Sequence, residues 1–129
     1  MPGYATALRN AQLDAITTFA GNGAKLRLYS GAQPATGGAA TTMLAEFTLG
    51  SPFAPAASGG VLSPTLPADT TGVAAGTATW FRIVKADGTT HVIDGTAGTS
   101  GADLNLNTAA ISVGVNVSIT GFTITRGNA

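Results

Sequence analysis

Thr77-Ala78-Thr79-Trp80-Phe81-Arg82-Ile83-Val84-Lys85, Ala86-Asp87-Gly88-Thr89, Thr90-His91-Val92-Ile93 reads as strand, tight turn and strand. Aromatic and β-branched side chains fill both arms, and Asp-Gly supplies the positive backbone angles that a hairpin turn requires. Trp80 and Phe81 point to opposite sides of the same strand. Either one of them faces a partner, or both are packed, with a helix or an arm covering the second face of the sheet.

Outward from this hairpin the side-chain period stays at two. Lys25-Leu26-Arg27-Leu28-Tyr29 alternates charged and apolar residues, so Leu26 and Leu28 are expected in the core. Residues 43–49 form a second such run, 104–106 and 110–113 are short strands, and 115–125 is a closing strand whose apolar phase slips at Gly121, where a bulge would reset the register. Residues 31–41, 50–60 and 95–101 are rich in Gly, Ala, Pro, Ser or Thr and are expected to be flexible loops, ordered only against something else. Seven or eight short strands with glycine-rich connections indicate a mainly β fold, a β-sandwich or jelly-roll-like barrel.

One helix precedes the strands, over about residues 6–20. Leu8, Ala11, Ala15, Ile16 and Phe19 fall near one helical face, Asp14 falls on the solvent side, Thr6 or a neighbour is a candidate cap, and Gly21-Asn22-Gly23 ends the element. The whole of 1–129 is read as a single domain, since this length supports one hydrophobic core.

Charged residues make up 9% of the chain, about a third of the usual share, and six basic and six acidic side chains cancel. A free protein with so little repulsion tends to self-associate, so burial against copies or partners is expected. The cations are scattered, which argues against nucleic acid as a partner. With no cysteine there is no disulfide or thiolate chemistry. No cationic start followed by an apolar block marks a secretory signal in residues 1–20, and no apolar run is long enough for a membrane-spanning helix. Synthesis and assembly in the cytoplasm fit these features.

Candidates for chemistry are few. His91 is the only histidine, and on the return strand it reads as a surface or interface side chain rather than a catalytic one. Asp87 belongs to the turn, while Glu46, Asp69, Asp94 and Asp103 lie in separate segments with no spacing that pairs carboxylates or builds a calcium loop. Gly21-Asn22-Gly23 follows a helix and leads to a strand, the wrong order for a phosphate loop. Asn116-Val117-Ser118 matches a glycosylation sequon but falls inside an expected strand. The expectation is therefore a protein that is not an enzyme and has no cofactor or metal.

The order Ala5-Thr6-Ala7-Leu8-Arg9-Asn10-Ala11-Gln12-Leu13-Asp14-Ala15-Ile16, Ala24-Lys25-Leu26-Arg27-Leu28-Tyr29-Ser30-Gly31, Ala78-Thr79-Trp80-Phe81-Arg82-Ile83 and the closing residues 119–128 resembles small virion-associated structural proteins of tailed bacteriophages. In size and composition the chain is similar to capsid decoration, or cement, proteins. The resemblance implies a homo-oligomer, a trimer or dimer, bound to the major capsid protein on the head surface of the virion. It transfers no site residue. Candidate interface residues, chosen as apolar or rigid groups in or beside flexible segments, are Tyr4, Pro34, Pro52, Phe53, Pro55 and Trp80. A tail or neck component, a carbohydrate- or receptor-binding β module using Trp80, Tyr29 or His91, and a hydrolase built on His91 are the competing readings.

Overall fold

The hairpin lies at the middle of the fold's main sheet. In the computed structural model, which describes residues 3–35, 38–50 and 53–125, one helix, α1 (Thr6–Ala20), precedes twelve strands. These are β1 (Lys25–Tyr29), β2 (Met43–Thr48), β3 (Val61–Leu62), β4 (Thr70–Thr71), β5 (Gly76–Thr77), β6 (Trp80–Val84), β7 (His91–Gly98), β8 (Leu104–Leu106), β9 (Ala110–Ile111), β10 (Asn116–Val117), β11 (Ile119–Phe122) and β12 (Ile124–Thr125). The six longer ones build a single sheet in the order β11-β8-β7-β6-β1-β2, curled into a half-barrel. The six two-residue strands pair among themselves as β10 with β4, β12 with β3 and β5 with β9.

Antiparallel pairing of β6 with both β1 and β7 gives each face one character. Leu26, Leu28, Phe81 and Ile83 turn to one side, where they join Phe47, Leu104, Leu106 and Phe122 in the main core. Phe81 and Phe122 meet edge to face at 5.4 Å. The hairpin turn between β6 and β7 is built as its sequence requires. Gly88 has φ 78°, Lys85 N–H donates to the Thr90 carbonyl, and Asp87 Oδ1 accepts from the Thr89 and Thr90 amides at 2.9 Å.

Several expectations are corrected. Seven or eight strands become twelve because the stretches read as 77–85 and 115–125 are interrupted, and because 61–62 and 70–71 are too short to carry a periodic signal. The slip at Gly121 is present, as a register shift in the pairing of β11 with β8. The loop expected at 95–101 is strand as far as Gly98. Gly95 is a position of close approach, since a Cβ there would stand 2.5 Å from the Phe81 ring. Beyond it β7 and β8 run parallel with only residues 99–103 between them, far fewer than the usual crossover. A reciprocal pair holds this connection: Thr96 N–H donates to Asp103 Oδ2 and Asp103 N–H to Thr96 Oγ1, both at 3.0 Å.

The helix has the expected span, but no side chain caps its start, and it buries a different face. Leu13 and Ala20 are buried and Ile16 packs beside them, whereas Leu8 and Phe19 are about half exposed. The sequence of α1 carries two apolar stripes, and the fold uses Leu13-Ile16-Ala20. Polar side chains next to that stripe hold the segment expected to be a loose arm: Asn10 Oδ1 accepts from Gly60 N–H at 2.9 Å and Asp14 Oδ1 from Ala57 N–H at 2.7 Å. Asp14 is therefore a structural acceptor and not simply a solvent-side acid. Phe53 and Ala54, at the start of the same segment, enter the core.

Candidate interaction face

The other face of the main sheet is polar by register. Glu46, Arg27, Arg82 and Asp94 stand opposite one another across β2, β1, β6 and β7, placing two cations between two carboxylates. Arg27 Nε donates to Glu46 Oε2 at 2.7 Å and its Nη1 to the Gly88 carbonyl at 3.0 Å, tying the hairpin tip to β1. Arg82 grips Asp94 with both Nε (2.7 Å) and Nη2 (3.0 Å). Each carboxylate hydrogen bond pushes its arginine's already high pKa further up, so both remain charged. Asp94 is almost completely covered, with 1% of its side chain exposed. His91 Nε2 lies 3.1 Å from Asp94 Oδ1, within ion-pair distance but not aligned for a hydrogen bond.

The next row carries Tyr29 and Trp80, stacked at 4.4 Å. Trp80 Nε1 donates to Thr41 Oγ1 at 3.1 Å and the Arg82 guanidinium lies 5.2 Å from the Trp80 ring. Arg82 Nη2 also donates to the Gly38 carbonyl at 2.7 Å, and Thr79 Oγ1 donates to the Gly31 carbonyl at 2.5 Å. These bonds fasten the β1–β2 connection over the sheet. Its small residues let the backbone lie close, which explains how Trp80 and Phe81 are both buried on opposite faces.

This arrangement uses the polar groups of the face to hold the chain together. Both oxygens of Asp94 are engaged by the Arg82 guanidinium, and its approach to His91 is not a hydrogen bond. Among the described residues no three His, Asp or Glu side chains gather to hold a metal, and no helix is long and apolar enough to cross a membrane.

The six residues read as interface candidates are scattered in environment. Trp80 (0% exposed) and Phe53 (1%) have no surface to offer a partner: Trp80 lies under the β1–β2 connection and Phe53 in the main core. Tyr4 and Pro34 are half-buried, Pro55 is exposed, and Pro52 lies outside the described residues.

The accessible apolar surface is elsewhere. On α1, Leu8 (47% exposed) and Phe19 (49%) share the uncovered stripe with Ala11 and Ala15, and an open groove there is bordered by Asp14, Thr18 and Lys85. Lys85 Nζ sits 4.4 Å from the Phe19 ring centre. A second patch joins Val73 and Val113, exposed at 56% and 74%, beside the bridge between Gly72 and Val113. Gly72 has no room for a side chain there, since a Cβ would meet the Ser112 carbonyl at 2.3 Å. Sequence reasoning put Leu8 and Phe19 on the same helical face as Ile16, read Val113 as the end of a short strand and passed over Val73. A valine between Ser112 and Gly114, at a turn, was the available signal for the second patch.

Comparison with family models, curated proteins and solved structures returns no match. The chain is thus defined by its architecture: a mainly β protein with one helix, a half-barrel sheet and an internally paired polar face.

Proposed function

We propose that this chain is a structural protein of a tailed-bacteriophage virion and that it decorates the head, binding major capsid subunits and its own copies. The observation that carries the reading is the uncovered stripe Leu8, Ala11, Ala15 and Phe19 on a chain with 9% charged residues and no net charge. Fully burying a leucine or phenylalanine contributes about 1.5–3 kcal/mol, and repeated modest contacts on a rigid lattice sum. The chain has the surface of a compact globule. Its accessible surface, 6124 Å², is close to the roughly 6,200 Å² expected of a free-standing globule of its mass. The sequence resemblance to virion-associated proteins supplies the setting.

The curl of the main sheet, together with three separate two-stranded ladders, supports the finer reading of the fold as jelly-roll-like or sandwich-like. A glycan site on Trp80 or Tyr29 loses support because both rings are covered, at 0% and 4% exposure.

The test is co-sedimentation of the labelled protein with separated phage heads and tails, wild type beside the variant carrying Leu8→Ser and Phe19→Ser. Saturable binding of many copies to heads, weakened by the double change, is the expected result. Few copies on tails alone would transfer the role to a tail or neck component, and binding to neither particle would remove the virion reading.

A further inference from the structure

Between β7 and the β11–β12 segment the half-barrel leaves a pocket of about 210 Å³ on its apolar side, bordered by Phe81, Ile93, Gly95, Asp103, Phe122 and Ile124. Gly95 opens it. A Cβ at that position would lie 2.5 Å from the Phe81 ring and 3.0 Å from Asp103 Oδ2, so the aromatic floor and the carboxylate converge over a bare Cα. The carboxylate is held in place, because its Oδ2 accepts from Thr96 N–H and the Asp103 amide donates to Thr96 Oγ1. Among the described residues no cation pairs with Asp103. Asp94, whose backbone also borders the pocket, has its carboxylate on the opposite face of the sheet in the grip of Arg82. Among the described residues the uncompensated charge at the pocket is therefore negative.

We propose that this pocket receives a lysine side chain of a partner protein, with the methylenes against the half-buried Ile93 and Ile124 and the ammonium on Asp103 Oδ1. The volume is below the roughly 300–1,000 Å³ of small-molecule sites and suits one long side chain. Two half-buried isoleucines with an acid at the edge match a side chain whose stem is aliphatic and whose head is charged. Lysine is favoured over arginine because Oδ2 is already committed to Thr96 N–H, which leaves one oxygen for a point-like ammonium and disrupts the two-oxygen geometry that a guanidinium fork prefers. The proposal does not depend on the partner being a capsid subunit.

The experiment is an amide NMR titration of the full-length protein with Nα-acetyl-lysine N-methylamide and, separately, with the norleucine analogue, which keeps the stem and lacks the amine. Saturable shifts at Gly95, Thr96, Asp103 and Phe122, with the lysine compound binding about three-fold more tightly or better, the scale of a partly exposed ion pair, are expected. Asp103→Asn keeps an acceptor for Thr96 N–H and should remove that preference while leaving norleucine binding unchanged. Equal affinity of the two compounds for the wild type, shifts confined to other regions, or no shifts at tenth-molar ligand would each overturn the proposal.

Discussion

Asp94→Ala tests whether the polar face stabilises the fold or merely decorates it. The substitution removes a carboxylate that is 1% exposed and leaves Arg82, 12% exposed, with only the Gly38 carbonyl and the Trp80 ring as partners. Deleting one member of a buried ion pair costs about 3–5 kcal/mol, because the survivor keeps its charge in a poorly solvated site. Arg82 retains some access to water and two partners, so the lower end, about 3 kcal/mol, is expected. That is a large part of the roughly 5–15 kcal/mol of net stability typical of small domains. Replacing both members, Arg82→Met with Asp94→Leu, substitutes apolar contact for the pair and should lose about 1 kcal/mol or less. The matching single changes, Arg82→Met and Asp94→Leu, at about 3 kcal/mol each against about 1 kcal/mol for the double, then give a coupling energy on the order of 5 kcal/mol. Urea unfolding followed by fluorescence measures all of these, with Trp80, the only tryptophan, reporting from 5.2 Å away. If the single losses add to the double within about 0.5 kcal/mol, Arg82 and Asp94 do not act as a unit and the clamp on the β1–β2 connection falls with them.

Gly95→Ala forces a methyl group into the Phe81 ring and should destabilise by about 1–3 kcal/mol in the same assay; an unchanged midpoint would mean that the strand shifts without cost. Leu13→Ala, at the buried stripe of α1, should cost about 2–5 kcal/mol by calorimetry, whereas Leu8→Ala should stay within about 0.5 kcal/mol, and equal effects would contradict the assigned face. Asp87 has its pKa lowered from 3.8 to about 2, first by the Thr90 hydroxyl and then by the turn amides. Its folded pKa lies below the unfolded one, so its contribution is present above pH 3.8 and disappears as pH falls toward 2. Asp87→Ala should flatten the pH dependence of stability across that window, and a slope equal to that of the wild type would exclude the turn acid as its source.

Elements governed by local chemistry were legible in the sequence. The 6–20 span of the helix, its glycine end, strands β1, β2 and β8, the Asp-Gly turn and the slip at Gly121 all follow from short-range pattern and match the structure. The misreadings occur where two local solutions were equally good. Leu8 and Leu13 are the same residue type on one helix, and only the shape of the surface beneath α1 selects between their stripes. Gly95 was read as a loop residue because a glycine required by a ring packed above it looks, in sequence, like a glycine required by a turn.

The candidate surfaces divide in the same way. Low charge and a neutral balance are properties of composition, and they alone indicate a protein inclined to associate. Which side chains remain to make the contact was decided by tertiary structure. Trp80 disappears beneath the β1–β2 connection because Arg82, Thr41 and Ser30 hold that connection down, through partners distant in sequence. Asp103 and Phe81 meet over Gly95 because β7 lies between β6 and β8 in the sheet. Periodicity acts over a few residues and is written along the chain; register, burial and the convergence of side chains depend on contacts between distant segments, which exist only after the sheet has closed.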